Sequence, residues 1–346
     1  MKNIQQKFDH RIFGMDILRI LCALFIFLRH SHTMFGCRYG EIAEQIILDL
    51  TEPIMTCFFI VSGFSLYYVY GDKGDFTGQK LKKFYLKRAI TILPSYYCVH
   101  VIYLLLHMEQ RKEWVILTPI DLVGIQTFFN TLFGILHNGG SWFVSCIIVC
   151  YLLYPIMQML VNETSVKWQI TTLCMLHLLL VYSQYVTSYF QLGNNYSNPL
   201  FRLLEFACGI LAASILKTKS YKHMFECGGG LVYLFFISVM VGCGIVNIKL
   251  LCRIPVIIMI LGGCLHCRCE MLEQSKCLHY LSMISYQFYL SQFSLWKLLL
   301  YIMPQFCFEN NVTRIIFSLI CCLVMSVLMY ECIDKKIQRK FQNIIP

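Results

Sequence analysis

The stretch WFVSCIIVCYLLYPIMQMLV, residues 142–161, contains no charged side chain. A helix needs roughly 20 mostly apolar residues to cross the hydrocarbon layer of a bilayer, so this stretch predicts a transmembrane helix. Runs of similar character recur on both sides of it and leave no room for a separate soluble domain. We therefore expect a single membrane domain over residues 1–346.

The composition of the whole chain supports a membrane protein. Of its 346 residues, 58% are hydrophobic and 14% are charged, whereas a soluble domain is typically about 45–50% apolar and about 25% charged. In a membrane protein the net charge of +10 indicates orientation, because Lys and Arg collect in cytoplasmic loops. We expect the lipid bilayer as a partner and no nucleic acid. The 19 cysteines lie mostly in apolar runs, and we expect no metal site.

Ten apolar runs predict ten membrane spans. They lie at about 15–36, 53–70, 86–107, 142–161, 168–186, 199–216, 228–247, 253–267, 278–302 and 312–333. The polar stretch from Gly71 to Lys87 is predicted to be a loop.

An eleventh apolar run, residues 119–136, is ambiguous, and the distribution of charge decides its interpretation. If this run does not cross and the N-terminus is inside, the inside segments hold 19 Lys or Arg and the outside segments hold 5. If it crosses, the bias falls to about 12 on each side. We therefore expect an outer re-entrant or interfacial segment here, with both termini cytoplasmic and the protein in the plasma membrane.

Ionisable side chains occur at membrane depth in the first span. Such a residue costs about 2.5–3.5 kcal/mol on insertion scales and by default indicates a functional site. Arg19 and His30 share one helix face, about 16 Å apart along the axis. Taken singly, Arg19 could extend to the membrane surface and His30 could bond a neighbouring helix. Because they share one face, they together predict a polar seam, which is a strip of polar side chains along that face of the helix.

Two further groups of charged residues stand out. Arg202 and Glu205, at positions i and i+3, can form an ion pair on one helix. The densest basic patch lies between the second and third spans, where it contacts anionic lipid or binds a phosphorylated ligand. This patch consists of Lys80, Lys82, Lys83, Lys87 and Arg88.

Six stretches in order carry a pattern that extends over most of the chain. They are GMDILRILCALFIFLRH (14–30), FFIVSGFSL (58–66), FYLKRAITILPSYY (84–97), SWFVSCIIVCYLLYP (141–155), RLLEFACGILA (202–212) and ISYQFYLSQ (284–292). The first contains the spacing Arg-x10-His. Together they resemble acyltransferase family 3, membrane proteins that O-acylate cell-surface glycans. The resemblance implies an all-α, polytopic transmembrane helix bundle.

The chain departs from the family pattern at four positions. Thr91 stands where many members have a second Arg, and Ile147 stands where one branch has Glu. Gln292 stands where His is common, and Arg29 precedes His30 where an apolar or aromatic residue is usual. These departures leave the acceptor open, and a role carried by the late His cannot be assumed for this chain.

The resemblance implies an O-acetyltransferase that moves an acyl group, most often acetyl, from cytoplasmic acetyl-CoA to a sugar hydroxyl. His suits proton transfer at neutral pH, so we expect His30 to be the catalytic base. Arg19 is expected at the catalytic site too, where it binds a donor phosphate or polarises the thioester. Lys87 and Arg88 are expected to hold the phosphates of the CoA. The residues expected at the substrate pocket are Trp142, Tyr151, Arg202 and Glu205.

A transporter or flippase for a glycan or lipid-linked sugar is the alternative function, because polar seams also line transport paths. It would require paired broken spans in two related halves, which the sequence does not show. A sensor or assembly protein is a third class. The sequence leaves open the acyl chain, the oligomeric state, and whether transfer is direct or passes through an acyl-His30 intermediate.

Overall fold

A computed structural model of the protein describes residues 12–74, 76–106, 111–128, 140–218, 249–267, 269–302 and 310–342. Within these ranges the chain is helical and contains no strand, which confirms the expected all-α class. The helices are α1 (Phe13–Phe35), α2 (Glu41–Tyr70), α3 (Gly78–Leu106), α4 (Arg111–Val123), a 3-10 turn (Gln126–Phe128), α5 (Ser141–Glu163), α6 (Val166–Val181), α7 (Ser183–Phe190), α8 (Pro199–Lys217), α9 (Lys249–His266), α10 (Glu270–Glu273), α11 (Lys276–Ile302), α12 (Asn311–Met329), a π-helix (Tyr330–Asp334) and α13 (Lys335–Gln342).

Among the described residues, five helices are long and apolar enough to cross a membrane. They are α2, α3, α5, α8 and the continuous helix Asn311–Phe341 that begins with α12. The pair α6 and α7, bent by 62°, would make a sixth. Helices α1 and α11, with 23 and 27 residues, are not among these candidate spans. The count of ten spans is therefore not confirmed, and the predicted span 228–247 lies outside the described residues.

Two helices begin earlier than their apolar runs. Helix α2 begins at Glu41 instead of residue 53, and α3 begins at Gly78, so the loop predicted up to Lys87 ends at residue 77. The polar first turns of α2 are stabilised by side-chain contacts, since Glu52 pairs with Arg253 of α9 at 2.8 Å. The start of α3 is rich in Lys, Leu and Gln, which are good helix formers. Hydrophobicity therefore delimits the apolar run and not the helix.

The ambiguous run 119–136 is described only to residue 128. Helix α4 ends at Val123, where Gly124 takes a φ of +74°. The Tyr96 hydroxyl of α3 donates a 2.6 Å hydrogen bond to the carbonyl of Asp121. The described part is therefore a 13-residue helix followed by a turn, and residues 129–136 lie outside the described residues.

Helices α2 and α8 cross at a pair of glycines. A Cβ at Gly63 would lie 2.1 Å from the carbonyl oxygen of Phe206, and one at Gly209 would lie 2.0 Å from that of Ile60. Small residues of this kind let helix backbones approach closely in membranes. The crossing places α8 beside α2, while α1 packs between α2 and α11.

Candidate active site

Arg19 lies where α1, α2 and α11 meet. Its Nη2 donates a 2.6 Å hydrogen bond to Ser65 Oγ of α2, and its Nη1 lies 3.7 Å from Asp16 Oδ1. Asp16 accepts a 2.8 Å hydrogen bond from Ser282 Oγ of α11. These contacts with side chains of α1, α2 and α11 hold the guanidinium of Arg19 in place.

A cavity of about 180 Å³ opens beside Arg19. It lies between α1, α2, α3, α5 and α11, and its walls are mainly apolar. It reaches the surface at the exposed Thr91. The lining includes Arg19, Phe58, Ile147, Tyr151, Tyr289 and Gln338.

Arg88 contacts the cavity wall from α3. Its guanidinium lies 5.6 Å from the ring centre of Tyr151 and 5.7 Å from that of Phe84. Its Nε is buried and has no hydrogen-bond partner in the described chain. The neighbouring Lys87 is exposed. Of the two cations expected at the donor, Arg88 therefore lies against the cavity and Lys87 lies at its periphery.

His30 lies one side chain away from the cavity. Its Nδ1 donates a 2.8 Å hydrogen bond to the side-chain oxygen of Gln292 on α11, which leaves Nε2 as the nitrogen with a free lone pair. The imidazole packs on the edge of Phe293, at 4.6 Å, and lies 6.0 Å from the ring of Tyr289. Tyr289 also lines the cavity, so its ring separates His30 from the space beside Arg19.

Two aromatic rings close the cavity at the His30 end. The Tyr289 hydroxyl donates a 3.1 Å hydrogen bond to the carbonyl of Gly140, and its ring lies 5.5 Å from that of Phe143. Both rings line the cavity. These two rings therefore form part of the cavity wall, and His30 lies behind the ring of Tyr289.

Arg202 and Glu205 form the ion pair that their spacing predicts. Nη1 of Arg202 lies 2.7 Å from Glu205 Oε2, and its Nε donates a 2.7 Å hydrogen bond to the carbonyl of Tyr196. Thr56 donates to the other carboxylate oxygen at 2.8 Å. The guanidinium also lies 5.5 Å from the ring centre of Trp142. The ion pair and its contact with Thr56 are buried, so the pair joins α2, α5 and α8.

The expected site residues thus fall into two groups. Arg19, Arg88 and Tyr151 meet at the cavity, with His30 one ring beyond it. Trp142 lies outside the cavity lining and packs with Arg202 and Glu205 in the second group.

A protein-family model described as an acyltransferase domain, that of acyltransferase family 3, matches residues 12–331. The chain belongs to acyltransferase family 3. The match spans nearly the whole chain, which confirms the resemblance seen in the six stretches. Together with its apolar helices, it identifies a multi-pass membrane acyltransferase. No match was found among curated proteins or among solved structures.

Several residues around the site of this family 3 acyltransferase were missed by sequence reasoning. Gln292 was noted only as a departure, and Ser65 carried no signal. Asp334, buried in the π-helix, accepts hydrogen bonds from Ser95 of α3 and from Gln287, which lines the cavity. No local pattern could have found these partners, because each contact joins helices that are distant in the chain.

Proposed function

We propose that this acyltransferase moves an acetyl group from acetyl-CoA to a hydroxyl of a cell-surface polysaccharide or lipid-linked glycan. The proposal places it in the plasma membrane, with both termini and the donor on the cytoplasmic side. The observation that carries it is the succession of Arg19, the cavity and the His30–Gln292 pair in a chain of this family.

The donor end of the proposed path is formed by Arg19 and Arg88. Guanidinium groups bind phosphate oxygens in a bidentate way, and Lys acts as a point charge. Arg88, which contacts the cavity wall at Tyr151, is suited to a phosphate of the CoA, with the exposed Lys87 as a second contact. The mainly apolar cavity beyond Arg19 then receives the thioester end of the donor.

The chemical step uses Nε2 of His30. This nitrogen takes the proton of the acceptor hydroxyl while the hydroxyl oxygen attacks the thioester carbonyl carbon. A carbon–oxygen bond forms, the carbon–sulfur bond breaks, and the proton passes from His30 to the departing CoA sulfur. Gln292 holds the imidazole in the tautomer that this requires, because its oxygen accepts from Nδ1.

The Arg202–Glu205 pair supports the acceptor side of the proposed site. The guanidinium lies over the rings of Trp142 and Tyr196, at 5.5 and 5.0 Å. Aromatic rings held in this way can form part of the wall of a sugar-binding pocket. In this proposal the pair positions the rings and takes no part in the chemistry.

The test uses membranes that contain the protein, acetyl-CoA labelled in the acetyl group, and surface glycan from a strain that lacks the gene. We expect label in the glycan with the wild type and a loss of about 10²–10⁴-fold with His30→Ala, the range that a general base contributes. His30→Ala at equal protein level with wild-type transfer would refute the role of His30. Glycan that is moved but never labelled by the wild type would favour the transporter.

The same assay separates the two basic residues at the donor end. Arg88→Ala should raise the KM for acetyl-CoA more than Lys87→Ala does, because only Arg88 contacts the cavity wall. An equal KM for both variants and the wild type would remove the phosphate role.

A further inference from the structure

Arg29 is a charged residue of α1 that the proposed mechanism does not use. It lies next to His30, and its side chain is only partly exposed. Nη1 of its guanidinium is buried and has no hydrogen-bond partner among the described residues. A buried cationic nitrogen in this state is costly unless a partner reaches it from outside the described part of the chain.

The surroundings of Arg29 belong to the acceptor side. Its charge is close enough to act on both His30 and Tyr196, and the ring of Tyr196 lies 4.9 Å from that of Trp142. Arg29 therefore lies in the neighbourhood of both the imidazole and the ring of Tyr196.

The carboxylates of Glu205 and Glu52 also interact electrostatically with Tyr196, and each of them contacts a different arginine. Glu205 lies 2.7 Å from Arg202, and Glu52 lies 2.8 Å from Arg253. Neither contact involves Arg29. Each of these two contacts thus joins a carboxylate to another arginine, and Nη1 of Arg29 has no hydrogen bond among the described residues.

We propose that Arg29 binds an anionic group, a carboxylate or a phosphate, on the acceptor glycan next to the hydroxyl that is acylated. This rests on the proposed function and names the class of its acceptor. A guanidinium binds either group through two parallel hydrogen bonds, which also fix the orientation of the sugar. The acceptor hydroxyl is thereby presented to His30.

The position of Arg29 separates this anion from those of the donor. Arg29 is ten residues beyond Arg19 on the continuous helix α1, which places it about 15 Å further along the axis. Arg19 lines the cavity and Arg88 contacts its wall at Tyr151, where the donor is proposed to bind. The anion at Arg29 is therefore part of the acceptor.

The test compares native and neutralised acceptor. Glycan from a strain that lacks the gene is used untreated, after reduction of its carboxylates with carbodiimide and borohydride, or after removal of its phosphate. Membranes with the wild type, Arg29→Gln, Arg29→Lys or Arg38→Gln then receive labelled acetyl-CoA. Arg38 is the control, because it is a well-exposed arginine that lies beyond the end of α1.

We expect one of the two treatments to raise the acceptor KM of the wild type by about tenfold or more, the usual size of a hydrogen bond to a charged group. That treatment identifies the anion as carboxylate or phosphate. Arg29→Gln should show the same rise on native glycan and little further change on neutralised glycan. Arg29→Lys should retain part of the affinity, and Arg38→Gln should match the wild type.

Two results would overturn the inference while the proposed function stands. One is efficient labelling of a glycan that carries no anionic group. The other is a wild-type acceptor KM in both Arg29→Gln and Arg29→Lys. If the wild type labels no glycan at all, the proposed function fails and this inference fails with it.

Discussion

Gln292 shows how a single neutral side chain can orient the proposed base. It is fully buried on α11, and its oxygen accepts the hydrogen bond from Nδ1 of His30. An imidazole bonded in this way has one defined tautomer, with Nε2 free to accept a proton. Gln292, which departs from the family pattern, is thus the hydrogen-bond partner of His30, which matches that pattern.

Removing this acceptor should slow catalysis without weakening donor binding. In Gln292→Leu the imidazole is free to rotate and change tautomer, so we expect kcat to fall by about tenfold to a hundredfold, part of what a general base contributes. The KM for acetyl-CoA should stay unchanged. Gln292→His is the matched variant, because a ring nitrogen can still accept from His30. An unchanged kcat in Gln292→Leu would exclude the positioning role.

The crossing of α2 and α8 is the element-scale feature that supports both halves of the site. Helix α2 contributes Ser65 to Arg19 and Thr56 to Glu205, while α8 contributes Arg202. Their separation is set by Gly63 and Gly209, whose missing side chains leave room for the facing backbone. A change in that separation would therefore alter both groups of site residues.

Gly209→Ala tests this crossing. The new Cβ would lie 2.0 Å from the carbonyl oxygen of Ile60, and overpacking of this kind typically costs about 1–3 kcal/mol. We expect a lower melting temperature of the detergent-solubilised protein. The control is Ala207→Ser, which also adds one heavy atom to α8 but at a partly exposed position. Equal melting temperatures for both variants would show that the helices can adjust freely.

The orientation of the whole molecule links the proposed donor to the cytoplasm. Helices α1 and α11 run in the same direction, since Asp16 contacts Ser282 and His30 contacts Gln292. Arg19 therefore lies nearer than His30 to the N-terminal ends of both helices. The bias of 19 to 5 in Lys and Arg predicts that these ends face the cytoplasm.

Reporter fusions test this orientation. Green fluorescent protein fused after residue 346 should fluoresce, and alkaline phosphatase fused at the same point should be inactive, because phosphatase needs the outer compartment. Phosphatase inserted in the exposed turn at residues 191–194 should be active. The reverse pattern would place His30 nearer the cytoplasm than Arg19 and contradict the proposed direction of transfer.

The sequence by itself determined what depends on local composition and spacing. Runs such as 142–161 predict helices because an apolar segment must satisfy its own backbone hydrogen bonds in lipid. The Arg202–Glu205 pair followed in the same way from its place on one helix turn. The family also followed from the ordered motifs, beginning with Arg19 and His30.

Only the tertiary structure decided how distant side chains meet. It joined His30 to Gln292 and Arg19 to Ser65, and it placed Trp142 with Arg202 instead of on the cavity wall. It also extended α2 and α3 beyond their apolar runs, where polar contacts between helices compensate for low hydrophobicity. These features depend on packing between helices that are far apart in the chain, and local periodicity carries no record of such packing.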